Sequence, residues 1–222
     1  YSAQQNMGSD NRSSKGHNRR RMRDQQHQAS HDEAIAPGDI PDIPMVPSGT
    51  PDPMTSQEDL QDMVAHVRSM GTFAYDTEFI GEETFYPRIC LIQVATTERL
   101  ALIDPFQIED LGPIWEVVAD KDVETIVHDG GQDLDPVRRF TKAEPQGIID
   151  TQVCAAFLDM PWPSSLAKIV ERFTGHVLSK GHTFTEWDRR PLTSRQTRYA
   201  ADDVRFLPRV LQIVKVELEQ NG

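Results

Sequence analysis

Three β-rich runs follow one another closely between Thr72 and Ile103, and they constrain the fold more than any other stretch. Thr72-Phe73-Ala74-Tyr75 is the first and Arg88-Ile89-Cys90-Leu91-Ile92-Gln93-Val94 the second. Arg99-Leu100-Ala101-Leu102-Ile103 is the third, reached through a polar turn around Thr96 to Glu98. Together they read as a three-stranded antiparallel meander. Glu124-Thr125-Ile126-Val127-His128 reads as a fourth, buried strand. Helical patterns flank these runs. Thr55-Ser56-Gln57-Glu58 forms a capping box ahead of Leu60, Met63, Val64 and Val67 at helical spacing, and Gly71 stops that helix. Further helices are expected over Leu111–Val118, 131–140, 151–158, 164–173 and from Thr193 to about Leu218. The sum is an α/β fold, a mixed sheet covered by helices in a single domain.

The end of the first strand carries Asp76-Thr77-Glu78. Side chains at i and i+2 on a strand point to the same side, so the two carboxylates are neighbours. Like charges on a buried face repel and are costly to desolvate. A divalent cation between them is the natural remedy. A bare D-x-E also fits a turn cap beside a solvated acid, so the other carboxylates must decide.

Two later stretches supply them. In His128-Asp129-Gly130-Gly131-Gln132-Asp133-Leu134-Asp135, which opens a helix after the fourth strand, three aspartates compete. Asp129 could cap the helix, Asp135 could favour its first turn, and spacing does not choose Asp133 over them. In Tyr199-Ala200-Ala201-Asp202-Asp203, Tyr199 and Asp203 are four apart and share a helix face. Asp203 lies on the stripe with Leu207, Val210 and Val214, the core-facing side. Asp202 falls with Arg198, Arg205 and Arg209 on a face read as solvated.

Composition limits what the acids can serve. Of 222 residues, 37% are hydrophobic and 26% charged, as expected for a globular chain, and no apolar run approaches the roughly 20 residues of a membrane span. The net charge of −12 argues against a role in coating nucleic acid but suits a divalent-metal site. Cys90 and Cys154 match no zinc or disulfide spacing and read as core thiols of a reducing, cytoplasmic compartment. Residues 1–54 read as a disordered tail and linker. A basic cluster at Arg19-Arg20-Arg21 precedes an acidic stretch punctuated by Pro37, Pro41, Pro44, Pro47, Pro51 and Pro53. Residues 55–222 read as the folded domain.

At the level of motifs the chain resembles ribonuclease D and its relatives. Phe73-Ala74-Tyr75-Asp76-Thr77-Glu78-Phe79 with Tyr86-Pro87-Arg88-Ile89-Cys90-Leu91-Ile92-Gln93 is similar to the first exonuclease motif of that family. Val127-His128-Asp129-Gly130-Gly131-Gln132-Asp133-Leu134 resembles the second. The third is matched by Trp187, Arg190-Pro191-Leu192-Thr193, Gln196 and Tyr199-Ala200-Ala201-Asp202-Asp203-Val204. The resemblance covers about residues 55–217. It implies a ribonuclease H-like fold and 3′→5′ exonuclease activity of the DEDD type. Tyr199 marks the tyrosine subtype, and His176 and His182 lie too far upstream to serve the histidine subtype.

The resemblance further implies that Asp76, Glu78, Asp133 and Asp203 bind two Mg²⁺ or Mn²⁺ ions, and that Tyr199 positions the attacking water. One ion is expected between Asp76, Glu78 and Asp203, the other mainly on Asp76 with Asp133 acting through water. Arg88, Lys180 and Arg190 are candidates for phosphate contacts, Phe79 and Phe85 for stacking on terminal bases, and His128 for a further substrate contact. The expected partner is the single-stranded 3′ end of RNA, as in tRNA-type 3′ processing, and no membrane. DNA handled by the same fold is the near alternative. A non-catalytic RNA-binding scaffold would have lost one of the four acids, and a metal phosphatase lacks its histidine ligands here. The family carries helical domains after its nuclease core, whereas this sequence stops just after the last core helix.

Overall fold

The computed structural model describes residues 43–81, 86–178 and 186–221. These belong to one unit, Gly38–Gly222. Helix α1 (Gln57–Met70) leads into β1 (Thr72–Ile80), and Gly71 makes the turn between them with φ at +69°. The helix cap is Ser56, whose side chain accepts from the Asp59 N–H at 3.1 Å, one residue later than the sequence pattern implied. The meander follows as β2 (Arg88–Ala95) and β3 (Leu100–Ile103), antiparallel throughout. Next come α2 (Gly112–Val118), β4 (Glu124–Val127), α3 (Asp135–Thr141) and β5 (Ile148–Asp150). Four helices close the chain: α4 (Thr151–Ala156), α5 (Leu166–Thr174), α6 (Ser194–Arg205) and α7 (Leu207–Asn221).

The sheet order is β3-β2-β1-β4-β5, with β4 and β5 parallel to the central β1. The α/β reading therefore holds. Two details differ from the sequence pattern. The strand β5 has only three half-buried residues and left no periodic signal. The expected long last helix is two, with the break at Phe206.

Alternation along β1 sorts its side chains into two environments. Phe73 and Tyr75 join the apolar cluster formed with α1 and α2, where the Tyr75 ring meets Trp115 edge-on. Ala74 points the other way, into the cluster with Val204, Leu207 and Leu211 of α6 and α7. Asp76 and Glu78 continue the Ala74 row, so the sheet face that packs on α6 turns acidic as it leaves the core. Small residues, Ala200 and Ala201 on the helix and Ala74 on the strand, are fully buried and permit that close approach.

Residues 43–54, assigned to the tail by composition, pack on this body. Met54 pairs with β3: its N–H donates to the Leu102 carbonyl at 2.6 Å, and its carbonyl accepts from Asp104 at 3.0 Å. Ile43 and Val46 lie against the cluster on α7. Polar composition concealed this because the segment is held through its backbone. Arg205 donates to the carbonyls of Pro47 at 3.1 Å and Gly49 at 2.7 Å. Among the described residues no helix is long and apolar enough to cross a membrane.

Candidate active site

Asp76, Glu78, Asp133, Tyr199 and Asp203 line one cavity of about 550 Å³. They come from three separated pieces of chain: β1, the turn before α3, and α6. The two β1 acids arrive by strand alternation, and a bulge between Glu78 and Phe79 breaks the register just beyond them. Tyr199 and Asp203, one turn apart on α6, hydrogen-bond each other through hydroxyl and carboxylate.

Of the three aspartates after β4, the turn of residues 130–134 buries Asp133 alone. Pairing of β1 with β4 stops at Ala74 and Ile126, which leaves the next part of the β1 edge open. Asp133 fills that opening. Its Oδ1 accepts from both the N–H of Thr77, at 3.2 Å, and the Thr77 hydroxyl, while the Tyr75 hydroxyl donates to its carbonyl at 3.3 Å. Asp129 is exposed and its N–H donates to Asp150, and Asp135 is exposed and pairs with Arg138 at 3.0 Å. Gly130 makes the fold-back possible, since a Cβ there would sit 2.5 Å from Val127. Gly131 carries no such constraint.

Burial pushes every carboxyl of the group upward, and repulsion adds to it at Asp76, Glu78 and Asp203. Desolvation is the largest cause at Asp76, followed by the charges of Asp133 and Asp203. Glu78 is raised to about 8 by desolvation, then by Asp76 and Asp133. Asp203 is raised well above the usual carboxylate range by desolvation and Glu78, and Asp133 is raised by desolvation against the opposing bonds from Thr77. The nearby Asp133 carboxyl adds to the upward push on Asp76. Tyr199 is raised further, by desolvation and then Asp203, so its phenol keeps its proton near neutrality.

The donors suit a divalent cation that prefers oxygen: five carboxyls, Asp129 included, line the cavity, and among the described residues no thiolate does. Gln93, the Cα partner of Asp76 on β2, is fully buried, and among the described residues neither of its amide atoms has a partner. Among the described residues no three His, Cys, Asp or Glu side chains are grouped to hold one ion. The three-carboxylate cradle expected of Asp76, Glu78 and Asp203 is therefore not preformed. Mg²⁺ is commonly held by one or two carboxylates, with waters and substrate phosphates completing the shell, and the residues present fit that mode.

The sequence-based substrate contacts fare unevenly. Phe79 and His128 line the cavity, and the His128 Nδ1 is held by Thr151 at 3.0 Å while burial lowers its pKa. Arg190 does not serve. Its guanidinium donates to both oxygens of Asp104, at 2.6 and 2.8 Å, and to the carbonyls of Cys90, Trp187 and Arg189, which uses all its N–H groups. Arg88 stacks over Phe106 at 4.2 Å and does not line the cavity. Phe85 and Lys180 lie outside the described residues. Sequence reasoning missed Thr77 and Gln93. Both lie within the quoted first motif, but Thr77 points to the opposite face from the acids and reads as a spacer.

Residues 51–219 match the 3′-5′ exonuclease family. The chain is 38% identical to ribonuclease D of Escherichia coli strain K12 over 169 residues, 76% of this chain and 45% of that protein. The solved structure of E. coli RNase D, an exoribonuclease involved in structured RNA processing, superposes with a TM-score of 0.70 over the same shares of the two chains. Ribonuclease D of Desulfotalea psychrophila is 38% identical over 166 residues, 73% of this chain and 44% of that one. The chain belongs to the ribonuclease D-like 3′-5′ exonucleases. It spans under half the length of these relatives. Trypanosoma brucei RNase D in complex with RNA U12 shares the fold at 19% identity, with a TM-score of 0.62 over 72% of this chain and 60% of that one.

Proposed function

We propose that this chain removes nucleoside monophosphates from the 3′ end of single-stranded RNA by metal-assisted hydrolysis, and that it trims structured RNA precursors. The convergence of four acids and Tyr199 on one cavity, in a chain of this family, carries the reading. The E. coli relative's role in structured RNA processing and the RNA bound by the T. brucei relative support the choice of substrate.

Asp76, Glu78, Asp133 and Asp203 would hold two Mg²⁺ or Mn²⁺ ions. When bound, such ions lower the pKa of water and offset charge on the attacking and leaving oxygens. The protein's own residues do the rest. Thr77 fixes the Asp133 carboxylate through two hydrogen bonds, so that this acid need not search for its position. Tyr199 keeps its proton and therefore orients a water rather than deprotonating it. Its bond to Asp203 sets the direction of the hydroxyl. Phe79 at the cavity wall offers an apolar face to the terminal base.

The test is degradation of a 5′-labelled single-stranded RNA beside the matching DNA, with Mg²⁺, Mn²⁺ or EDTA, for wild type and Asp203→Asn. A metal-dependent ladder shortening from the 3′ end, absent in the variant, is expected. RNA should be the faster substrate; faster loss of DNA would reassign it. Retained binding with no cleavage under any metal would leave a scaffold.

A further inference from the structure

The acid-lined cavity continues past Phe79. Thr77, Phe79 and Gln132 also wall a second cavity, of about 620 Å³. Tyr86 and Ile89 bound it on the β2 side, and Pro136 and Arg139 of α3 on the other. Its chemistry is different. Among the described residues its lining holds one carboxylate, Asp135, which is paired with Arg138. Flat groups dominate instead. The Arg139 guanidinium lies 4.9 Å from the Tyr86 ring and 4.7 Å from the Phe140 ring. Phe140 in turn stacks parallel on Trp115, with 5.9 Å between centroids and 8° between planes. Tyr86 and Phe140 are 60% and 58% exposed, an unusual outlay of aromatic surface. Among the described residues Arg139 makes no ion pair.

We propose that this second cavity seats the nucleotides upstream of the 3′-terminal two, with Tyr86 and Arg139 as the stacking platform. The proposal rests on the exonuclease reading and adds to it a second subsite. Three observations select a nucleic-acid strand as occupant. The cavity shares a wall with the catalytic one, so a strand whose 3′ end lies among the acids can run directly into it. Its volume is in the range of small-ligand sites, roughly 300–1,000 Å³. Rings interleaved with a guanidinium bind bases by their faces, whatever the sequence, while guanidinium edges remain for phosphate. Charge makes such a site necessary. A chain of net charge −12 has little general attraction for a polyanion, so its grip on substrate must be local.

The experiment compares KM and kcat on a 5′-labelled RNA dinucleotide and an octanucleotide for wild type, Tyr86→Ala, Arg139→Ala and Arg139→Gln, with thermal melting as a fold control. The dinucleotide occupies the acid-lined cavity alone. Loss of one stacked base should raise KM for the octanucleotide about tenfold with kcat unchanged. The dinucleotide should show no change. Equal KM rises on both RNAs, or no rise on either, would overturn the subsite while leaving the nuclease intact. A wild-type protein that shortens neither RNA would overturn both readings together.

Discussion

Asp202 and Asp203 are neighbours on one helix, and the structure treats them oppositely. Burial pushes both carboxyls up. Asp202, which the helical pattern placed on a solvated face, is buried at 9% exposure beside Arg205, whose guanidinium donates to the carbonyls of Pro47 and Gly49. The chain supplies its cations: Arg205 Nε lies 2.8 Å away and Arg198 Nε 3.6 Å. The Arg205 contact is one of charge, since its N–H direction falls short of a hydrogen bond. Asp203 faces Glu78 and Tyr199, and among the described residues no basic side chain pairs with it. An acid that holds the fold together is given a permanent counter-charge. An acid proposed to do chemistry is left to be neutralised from solution.

The largest expected effect separates the two by activity. Asp203→Asn should lower kcat about a thousandfold, roughly 4 kcal/mol of transition-state stabilisation, with folding stability in EDTA unchanged or improved because a repelling acid is gone. Asp202→Asn should do the reverse. It leaves the Arg205 charge buried and uncompensated, a loss of about 3 kcal/mol in urea unfolding, with kcat per folded molecule near that of wild type. An Asp202→Asn protein that unfolds normally yet fails to cut RNA would erase the distinction.

Cation binding sharpens it further. Mg²⁺ at about a hundred times its dissociation constant should stabilise the wild type by roughly 2.7 kcal/mol. The same shift should survive in Asp202→Asn and shrink in Asp203→Asn, read as the urea midpoint with and without the ion. Equal shifts in all three proteins would place the ion elsewhere.

How far this contrast could be read from the sequence depended on what each residue contacts. The D-x-E pair was legible because strand alternation is local, and so was Asp203, which shares a helix face with Tyr199. Asp133 was not, because its selection depends on the open edge of β1 and on Gly130 passing against Val127, neither of which has a sequence period. Arg205 misled for a related reason. A charged stripe on a helix normally faces water, but here a segment from the far end of the described chain covers it with backbone carbonyls, which leave no signature in side-chain pattern. Arg190 misled likewise. The motif implied a free cation near the acids, while Asp104, distant in sequence, consumes it.

Asp104 offers the smallest and most specific check, because it is a second acid with a built-in cation. Burial works to raise its carboxyl, but the Arg190 hydrogen bonds and the Phe106 N–H outweigh burial and hold it below 3.8. A folded value below the unfolded one means the pair's contribution to stability is fully present above about pH 3.8 and is lost as pH falls through the folded value. Asp104→Asn keeps the shape but removes the titration. The stability gap between wild type and variant should therefore be constant from neutrality down to about pH 4 and close only below it. Urea midpoints at stepped pH values would show this. A gap that stays open in acid would mean the Arg190 contact is held by shape rather than charge, and the rule that this chain pairs its structural acids with arginine would then rest on Asp202 alone.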